Sequence, residues 1–168
     1  ARLPQSASIQ HAGIATAMTS AGAAAGYFAG IVDEARVWNV ARTTQEINDN
    51  MFVELASGTG LLGRWGLNDG SGTTAATSVG SVNGTLTNGP AWVAGSPFAL
   101  ANSLKLGTNT AAYVAFGDPA ELDLAQFTLE TWFRRDGAGA SASTGSGGVT
   151  AIPLVTHGGA EQEASTVD

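Results

Sequence analysis

The sequence YFAGIVDEARVWN, residues 27–39, predicts the strand around which the rest of the chain is arranged. Its apolar residues recur at every second position, which is typical of a β-strand that points side chains to two faces. In strict alternation one face carries Ala29, Ile31, Asp33, Ala35 and Val37, and the other carries Phe28, Val32, Glu34, Arg36 and Trp38. The first face is apolar except for Asp33, and a buried carboxylate needs hydrogen bonds, an ion pair or a metal. On the other face, Glu34 and Arg36 are predicted to form an exposed ion pair, which contributes little to stability.

The composition favours one domain of short strands and limits the partners. The chain has 168 residues, enough for a hydrophobic core, and its 23 glycines favour tight turns over long helices. The net charge is −7 with Lys105 as the single lysine, which argues against binding nucleic acid or anionic membranes. No run of about 18 apolar residues is present, so membrane insertion is not predicted. The chain has no cysteine, which excludes disulfides and thiolate chemistry.

One short helix and several further strands are predicted. The sequence TTQE at residues 43–46 fits a capping box and predicts a helix near 44–51. Further strands are predicted from apolar alternation at Leu61–Leu67, Phe127–Arg135, 103–106 and 112–116. The last two segments are predicted to pair with each other as a hairpin.

These motifs resemble the laminin-G-like domains, which belong to the concanavalin A-like lectin and glucanase jelly rolls. The central strand, followed by Ala41-Arg42 and a helix with Glu46-Ile47, is similar to the last strand and closing helix of that family. The family's opening motifs are resembled, in the family's order, by residues 60–73, 84–92, 104–114 and 127–133. The resemblance implies an all-β, two-layer antiparallel jelly-roll sandwich with one short helix near 44–51.

The order of the motifs is unusual for that family. Residues 1–58 resemble the C-terminal half of a unit, and residues 59–168 resemble the N-terminal part of one. The chain is therefore interpreted either as a piece of a tandem array or as a permuted unit, and its start at Ala1 suggests an excised piece. The family's first and last strands are neighbours, so residues 27–39 and 61–67 are expected to pair. The family's middle strands have no counterpart here, which leaves sheet edges that invite another chain.

The resemblance also implies a structural calcium ion at the junction of the first and last strands. Carried over to this sequence, its ligands are Asp33, Asn68 or Asp69, and the backbone carbonyl of Gly72. Calcium binds several oxygen atoms from flexible turns, which the segment 68–72 offers. The alternative is that Asp33 caps backbone amides and that Asp69 only forms a turn.

Aromatic side chains suggest a ligand-binding surface. Trp38 and Trp132 are assigned to faces opposite the predicted core, with Glu130 nearby, and aromatic rings stack on the apolar faces of sugars. The alternative is ordinary packing of both tryptophans. Catalysis is not predicted, because retaining glycosidases need two carboxylates about 5 Å apart, whereas the adjacent Asp33 and Glu34 point to opposite faces of a strand.

The sequence thus predicts a non-catalytic extracellular binding or adhesion module, for carbohydrate or cell-surface recognition. Its expected location is the cell surface or the extracellular space, in a bacterium, and its expected partner is a glycan or a surface protein. The alternative function is a structural repeat of an extracellular assembly or filament. In that case copies of the chain complete one another by exchanging strands at their sheet edges.

Overall fold

A computed structural model of the chain describes residues 9–95, 97, 102–107, 111–143 and 149–158. The first half contains the strands β1 (Ala12–Ile14), β2 (Ala17–Met18), β3 (Ala24–Ala25), β4 (Gly30–Trp38), β5 (Leu61–Trp65), β6 (Thr74–Ala75) and β7 (Thr77–Val79). The second half contains β8 (Gly84–Thr87), β9 (Ala91–Ala94), β10 (Asn102–Leu106), β11 (Tyr113–Gly117), β12 (Thr128–Arg135), β13 (Ala142–Ser143), β14 (Thr150–Ala151) and β15 (Val155–His157). The helix α1 spans Thr44–Asn50, and a 3₁₀ turn spans Ala120–Leu122.

An apolar core lies between two antiparallel sheets. The first sheet has the order β15–β1–β11–β8–β6, and the second has the order β7–β5–β4–β10–β9 with β12 on the opposite edge of β4. Ile14 and Val114 enter this core from the first sheet, and Val32, Trp65 and Leu104 enter it from the second. The prediction of an all-β chain with one short helix near 44–51 is confirmed, and the two sheets form a sandwich-like arrangement.

Strand β4 contains a β-bulge at Glu34. Between residues 33 and 36, two residues of β4 face the single residue Thr131 of β12, and Glu34 has a left-handed φ of 52°. A bulge inserts one extra residue and moves all later side chains to the other face of the sheet. The core face therefore carries Val32 and then Ala35, three positions later.

The bulge corrects the strand faces that simple alternation predicts. Asp33 does not share a face with Ala35 and Val37, because the extra residue at Glu34 separates them. Asp33 instead lines a surface cleft together with Trp132, its cross-strand partner on β12. Asp33 is buried, at 3% exposed, but it lies on the side of β4 away from the core, so the predicted burial is confirmed and the predicted face is wrong.

The helix α1 begins with the predicted capping box. The Glu46 N–H donates to the Thr43 hydroxyl at 3.2 Å, and the Glu46 carboxylate accepts from the Thr43 N–H at 2.7 Å. The backbone N–H and the hydroxyl of Thr43 hold the pKa of the Glu46 carboxyl below its usual range. None of the helix residues is buried. Across the ranges that the structure describes, no helix is long and apolar enough to cross a membrane.

The pairing of the strands confirms one prediction and overturns another. Strand β5 lies antiparallel beside β4, with Ala35 opposite Trp65, as expected for neighbouring first and last strands. The predicted hairpin of residues 103–106 and 112–116 is wrong, because β10 pairs with β4 and β9 whereas β11 pairs with β1 and β8. Alternating apolar residues identify both strands correctly, but they do not identify the partner of either one.

Candidate functional site

A buried network of charged side chains covers the face of β4 that points away from the core. This arginine–glutamate network consists of Glu34, Arg36, Arg42, Arg64 and Glu130. Glu34 is 1% exposed and accepts hydrogen bonds from Arg36 Nε at 3.1 Å and from Arg64 Nη2 at 2.8 Å. Glu130 accepts from both Arg36 and Arg42. Each carboxylate thus has two guanidinium partners, which offset the cost of removing its charge from water.

The network attaches residues 39–58, which include α1, to the sheet. Arg36 donates from Nη1 to the carbonyl oxygen of Asn50 at 3.0 Å, and from Nη2 to the carbonyl oxygen of Val53. This segment covers the Glu34–Arg36 pair, so the prediction of an exposed pair of little weight is wrong. Because α1 buries no side chain, these polar contacts contribute much of what holds it on the sheet.

The predicted sugar-binding residues lie in different environments. Trp38 is 3% exposed, and the guanidinium carbon of Arg42 lies 4.0 Å from the centre of its ring. Glu130 belongs to the arginine–glutamate network. Trp132 is half-buried and donates from its indole N–H to the Met51 carbonyl at 2.7 Å. Trp38 therefore has no open ring face for a sugar in this structure, whereas Trp132 borders open space.

A surface cleft of about 360 Å³ opens beside Trp132. Its wall combines this aromatic ring with the side chains of Asp33, Ser103, Phe133 and Arg134. The Asp33 carboxylate also accepts a hydrogen bond from the backbone of the bulge at 3.0 Å, so its direction is fixed. The lining combines aromatic surface with a few polar groups, as in many ligand sites, although Arg134 already pairs with Asp136 and Ser103 donates to the Gly95 carbonyl.

The residues predicted to bind calcium lie at one end of the β4–β5 pair. Ala35 faces Trp65 across these strands, so the antiparallel register places Asp33 and the turn 68–72 beyond the same end. Calcium at this junction stays a prediction.

The turn residues of the predicted calcium site already have protein partners. The Asn68 amide lies 3.5 Å from a glutamate oxygen, and both carboxylate oxygens of Asp69 accept from the Ala76 N–H at 3.3 Å. The Gly72 carbonyl accepts from the Trp92 indole at 3.1 Å. Calcium binding would therefore have to share or replace these hydrogen bonds.

Strand β12 exposes the side that should face the core. It has eight residues and, among the described residues, pairs with β4 alone. We define the β12 apolar strip as Phe127, Leu129 and Phe133, which alternate along this side and are 44%, 41% and 57% exposed. Phe133 meets the core residue Phe28 edge to face, with ring centroids 6.0 Å apart. The first sheet therefore does not cover the core-facing side of β12.

Comparisons with known proteins give no relative for this arrangement. No protein-family model, curated protein or solved structure matches the chain significantly. The resemblance to laminin-G-like domains consequently remains a prediction carried by the sequence motifs, and the function must be argued from the geometry.

The structure also brings together residues that the sequence analysis did not single out. Arg64 becomes the second partner of Glu34, and Asp118, Asp123 and His157 converge at one end of the first sheet. The two aspartates flank a 3₁₀ turn, whereas the histidine lies on the last described strand. Neither group shows a local spacing pattern, because strand pairing between distant segments creates both.

Proposed function

We propose that this chain is a non-catalytic extracellular module that associates through the edge of β12 that no described strand covers, and that its partner is a second copy of the chain. The observation that carries the proposal is the exposed β12 apolar strip on the core-facing side of an eight-residue edge strand. An edge strand offers unpaired backbone N–H and C=O groups to another strand, and an apolar strip beside them adds buried area.

The sequence of β12 suits antiparallel pairing with itself. With Thr131 on the two-fold axis, Leu129 of each copy lies opposite Phe133 of the other. Both residues are on the strip, so the pairing joins two exposed apolar surfaces into one. No proline or lysine interrupts β12, so the usual protection of an edge strand is missing along its middle.

The family resemblance supports the same conclusion. In a laminin-G-like jelly roll whose end (1–58) precedes its beginning (59–168), the middle strands are supplied by another unit. The uncovered side of β12 is where such strands are needed. We therefore favour the structural-repeat form of the predicted function, in a cell-surface or extracellular assembly.

The charged residues support association rather than catalysis. On the outer face of the β4–β12 pair, Glu34 and Glu130 are both held by arginines, and Asp33 is a third carboxylate, which lines the cleft beside Trp132. A glycosidase needs one carboxylic acid that donates a proton and a second carboxylate with access to the sugar. Carboxylates neutralised by buried guanidinium groups do not meet that requirement.

Lysine substitutions on the strip are expected to weaken association. In the variant Leu129→Lys/Phe133→Lys, charges replace two apolar contacts in each copy, and the dissociation constant should rise by about tenfold or more. Sedimentation velocity over a concentration series gives the constant directly. Ile9→Lys, at an apolar position that is 59% exposed and precedes β1, is the matched control and should leave it unchanged. The proposal would be overturned if the unaltered chain stayed monomeric at every concentration, or if Ile9→Lys weakened association as much as the double lysine variant.

Carbohydrate binding in the cleft beside Trp132 is the second candidate, favoured by its aromatic and polar lining. The variant Trp132→Ala removes the stacking surface and is expected to weaken binding of a glycan by about tenfold or more, as is usual for an aromatic anchor. A glycan array followed by titration calorimetry provides the measurement. Trp92→Phe serves as the control, because Trp92 hydrogen-bonds to Gly72 and is not among the residues that line the cleft. Unchanged affinity in Trp132→Ala would exclude this site.

A further inference from the structure

Asp118, Asp123 and His157 bring three ligand-type atoms together at one end of the first sheet. Nε2 of His157 lies 3.7 Å from Oδ1 of Asp123 and 4.0 Å from Oδ1 of Asp118. All three ligand atoms lie within 4.8 Å of one another. Both measured distances are too long for hydrogen bonds. They are close to the separation of two ligands that each lie about 2.0–2.2 Å from one metal ion.

Two of these atoms lack a hydrogen bond where one is expected. Oδ1 of Asp123 and Nε2 of His157 are buried from solvent and have no hydrogen-bond partner. Buried polar atoms in folded proteins are nearly always paired with protein, water or an ion. The group therefore differs from a set of exposed acidic side chains, because two of its three ligand atoms are buried and unpaired and all three lie within 4.8 Å of one another.

The fold determines this convergence. Ala12 on β1 pairs with Gly117 on one side and with His157 on the other, so the sheet itself places the histidine near the residue before Asp118. The 3₁₀ turn then leads to Asp123, and Leu122 within it packs against the core. The positions of all three residues are thus fixed by strand pairing and packing.

A further contact holds the turn in place. The Ser81 hydroxyl donates to the Glu121 carboxylate at 2.5 Å, and this hydrogen bond lowers the pKa of Glu121. Glu121 therefore pairs with Ser81, and this hydrogen bond connects the 3₁₀ turn to the loop between β7 and β8.

We propose that Asp118, Asp123 and His157 bind one divalent transition-metal ion of the Zn²⁺ class. Imidazole nitrogen favours zinc and its neighbours over calcium and magnesium, which prefer ligand sets made of oxygen alone. The two carboxylates balance the charge of the ion, and three protein ligands leave the fourth tetrahedral position for water. Asp118 is the most exposed of the three ligands. The bound ion links the turn after β11 to β15.

Titration calorimetry of the metal-free 168-residue chain with Zn²⁺ tests this site. We expect one ion per chain. Loss of a partner that merely orients a metal ligand already weakens binding about 10–100-fold, so His157→Gln and Asp123→Asn are expected to weaken it about 100-fold or more. His11→Gln is the matched control, because the chain has two histidines and the His11 ring lies beside Gly22, outside the metal-binding group. Equal weakening in His11→Gln, or no saturable binding by the unaltered chain, would overturn the proposal.

A second measurement does not depend on the folding of any variant. In the unaltered chain, the ¹⁵N resonance of His157 Nε2 is expected to shift when Zn²⁺ is added and to stay in place when Ca²⁺ is added. An unchanged His157 resonance at saturating Zn²⁺ would show that His157 does not ligate the transition metal, and an equal shift with Ca²⁺ would refute the proposed preference for the Zn²⁺ class.

Discussion

Replacement of Glu34 by glutamine is expected to lower the free energy of unfolding by about 3–5 kcal/mol, the cost of removing one partner from a buried ion pair. The amide has nearly the size of the carboxylate but no charge, so Arg36 and Arg64 stay buried without their shared anion. The loss is large against a total stability of about 5–15 kcal/mol for a typical domain. Urea unfolding followed by the fluorescence of the buried Trp38 and Trp65 measures it.

Two further comparisons separate the loss of the buried Glu34 charge from the loss of an exposed charge and from the backbone strain at residue 34. Glu54→Gln removes a carboxylate that is 44% exposed and 3.7 Å from Arg64, and it is expected to cost less than about 1 kcal/mol. Glu34→Gly is expected to be about 1 kcal/mol more stable than Glu34→Ala, because glycine adopts the left-handed φ of 52° without strain. If Glu34→Gln proved as stable to urea as Glu54→Gln, Glu34 would not be a buried ionic partner of Arg36 and Arg64.

Replacement of Gly30 by alanine is expected to cost about 3 kcal/mol through steric overlap. An added Cβ at this position would lie 2.1 Å from the backbone carbonyl oxygen of Arg134 and 2.8 Å from the Phe28 ring. A strand backbone cannot rotate away as the end of a side chain can, so β4 and β12 must separate locally. Gly30 pairs with Arg135 on one side and Leu106 on the other, so the loss extends to both neighbouring strands.

The control for this substitution is a glycine with open space around it. Gly89 has a φ of 74° and no atom within 4 Å of an added Cβ, so Gly89→Ala is expected to cost only the backbone strain of about 1–2 kcal/mol. Thermal and urea unfolding of the two variants give the comparison. If Gly30→Ala proved no more destabilising than Gly89→Ala, the close approach of β12 to β4 would be refuted.

Local sequence signals correctly predicted the elements of this fold. The alternation of residues 27–39 identified β4, the capping box at Thr43 identified α1, and the apolar pattern near the C-terminal third identified β12. Each signal depends only on residues that are close in the sequence and on the periodicity of one strand or helix. The pairing of β4 with β5 followed from the family resemblance, because neither pattern alone specifies a partner.

The sequence did not reveal the bulge or the polar groups that depend on it. A left-handed φ is usually marked by glycine or asparagine, whereas this bulge uses Glu34, whose second partner Arg64 lies 30 residues away in the sequence. The burial of this network required residues 39–58 to fold over it. The convergence of Asp118 with His157 likewise depends on how β1 pairs with two later strands.

The interleaving of distant segments also determines when the fold can form. Strand β1 pairs only with β11 and β15 among the strands described, and β4 depends on β10 and β12 for most of its length. Bringing such segments together requires closing long loops before the contacts compensate for the lost chain entropy, which makes folding slow. During synthesis, β4 can therefore pair with β5 early, whereas β1 stays without either of its partners until the last third of the chain has left the ribosome.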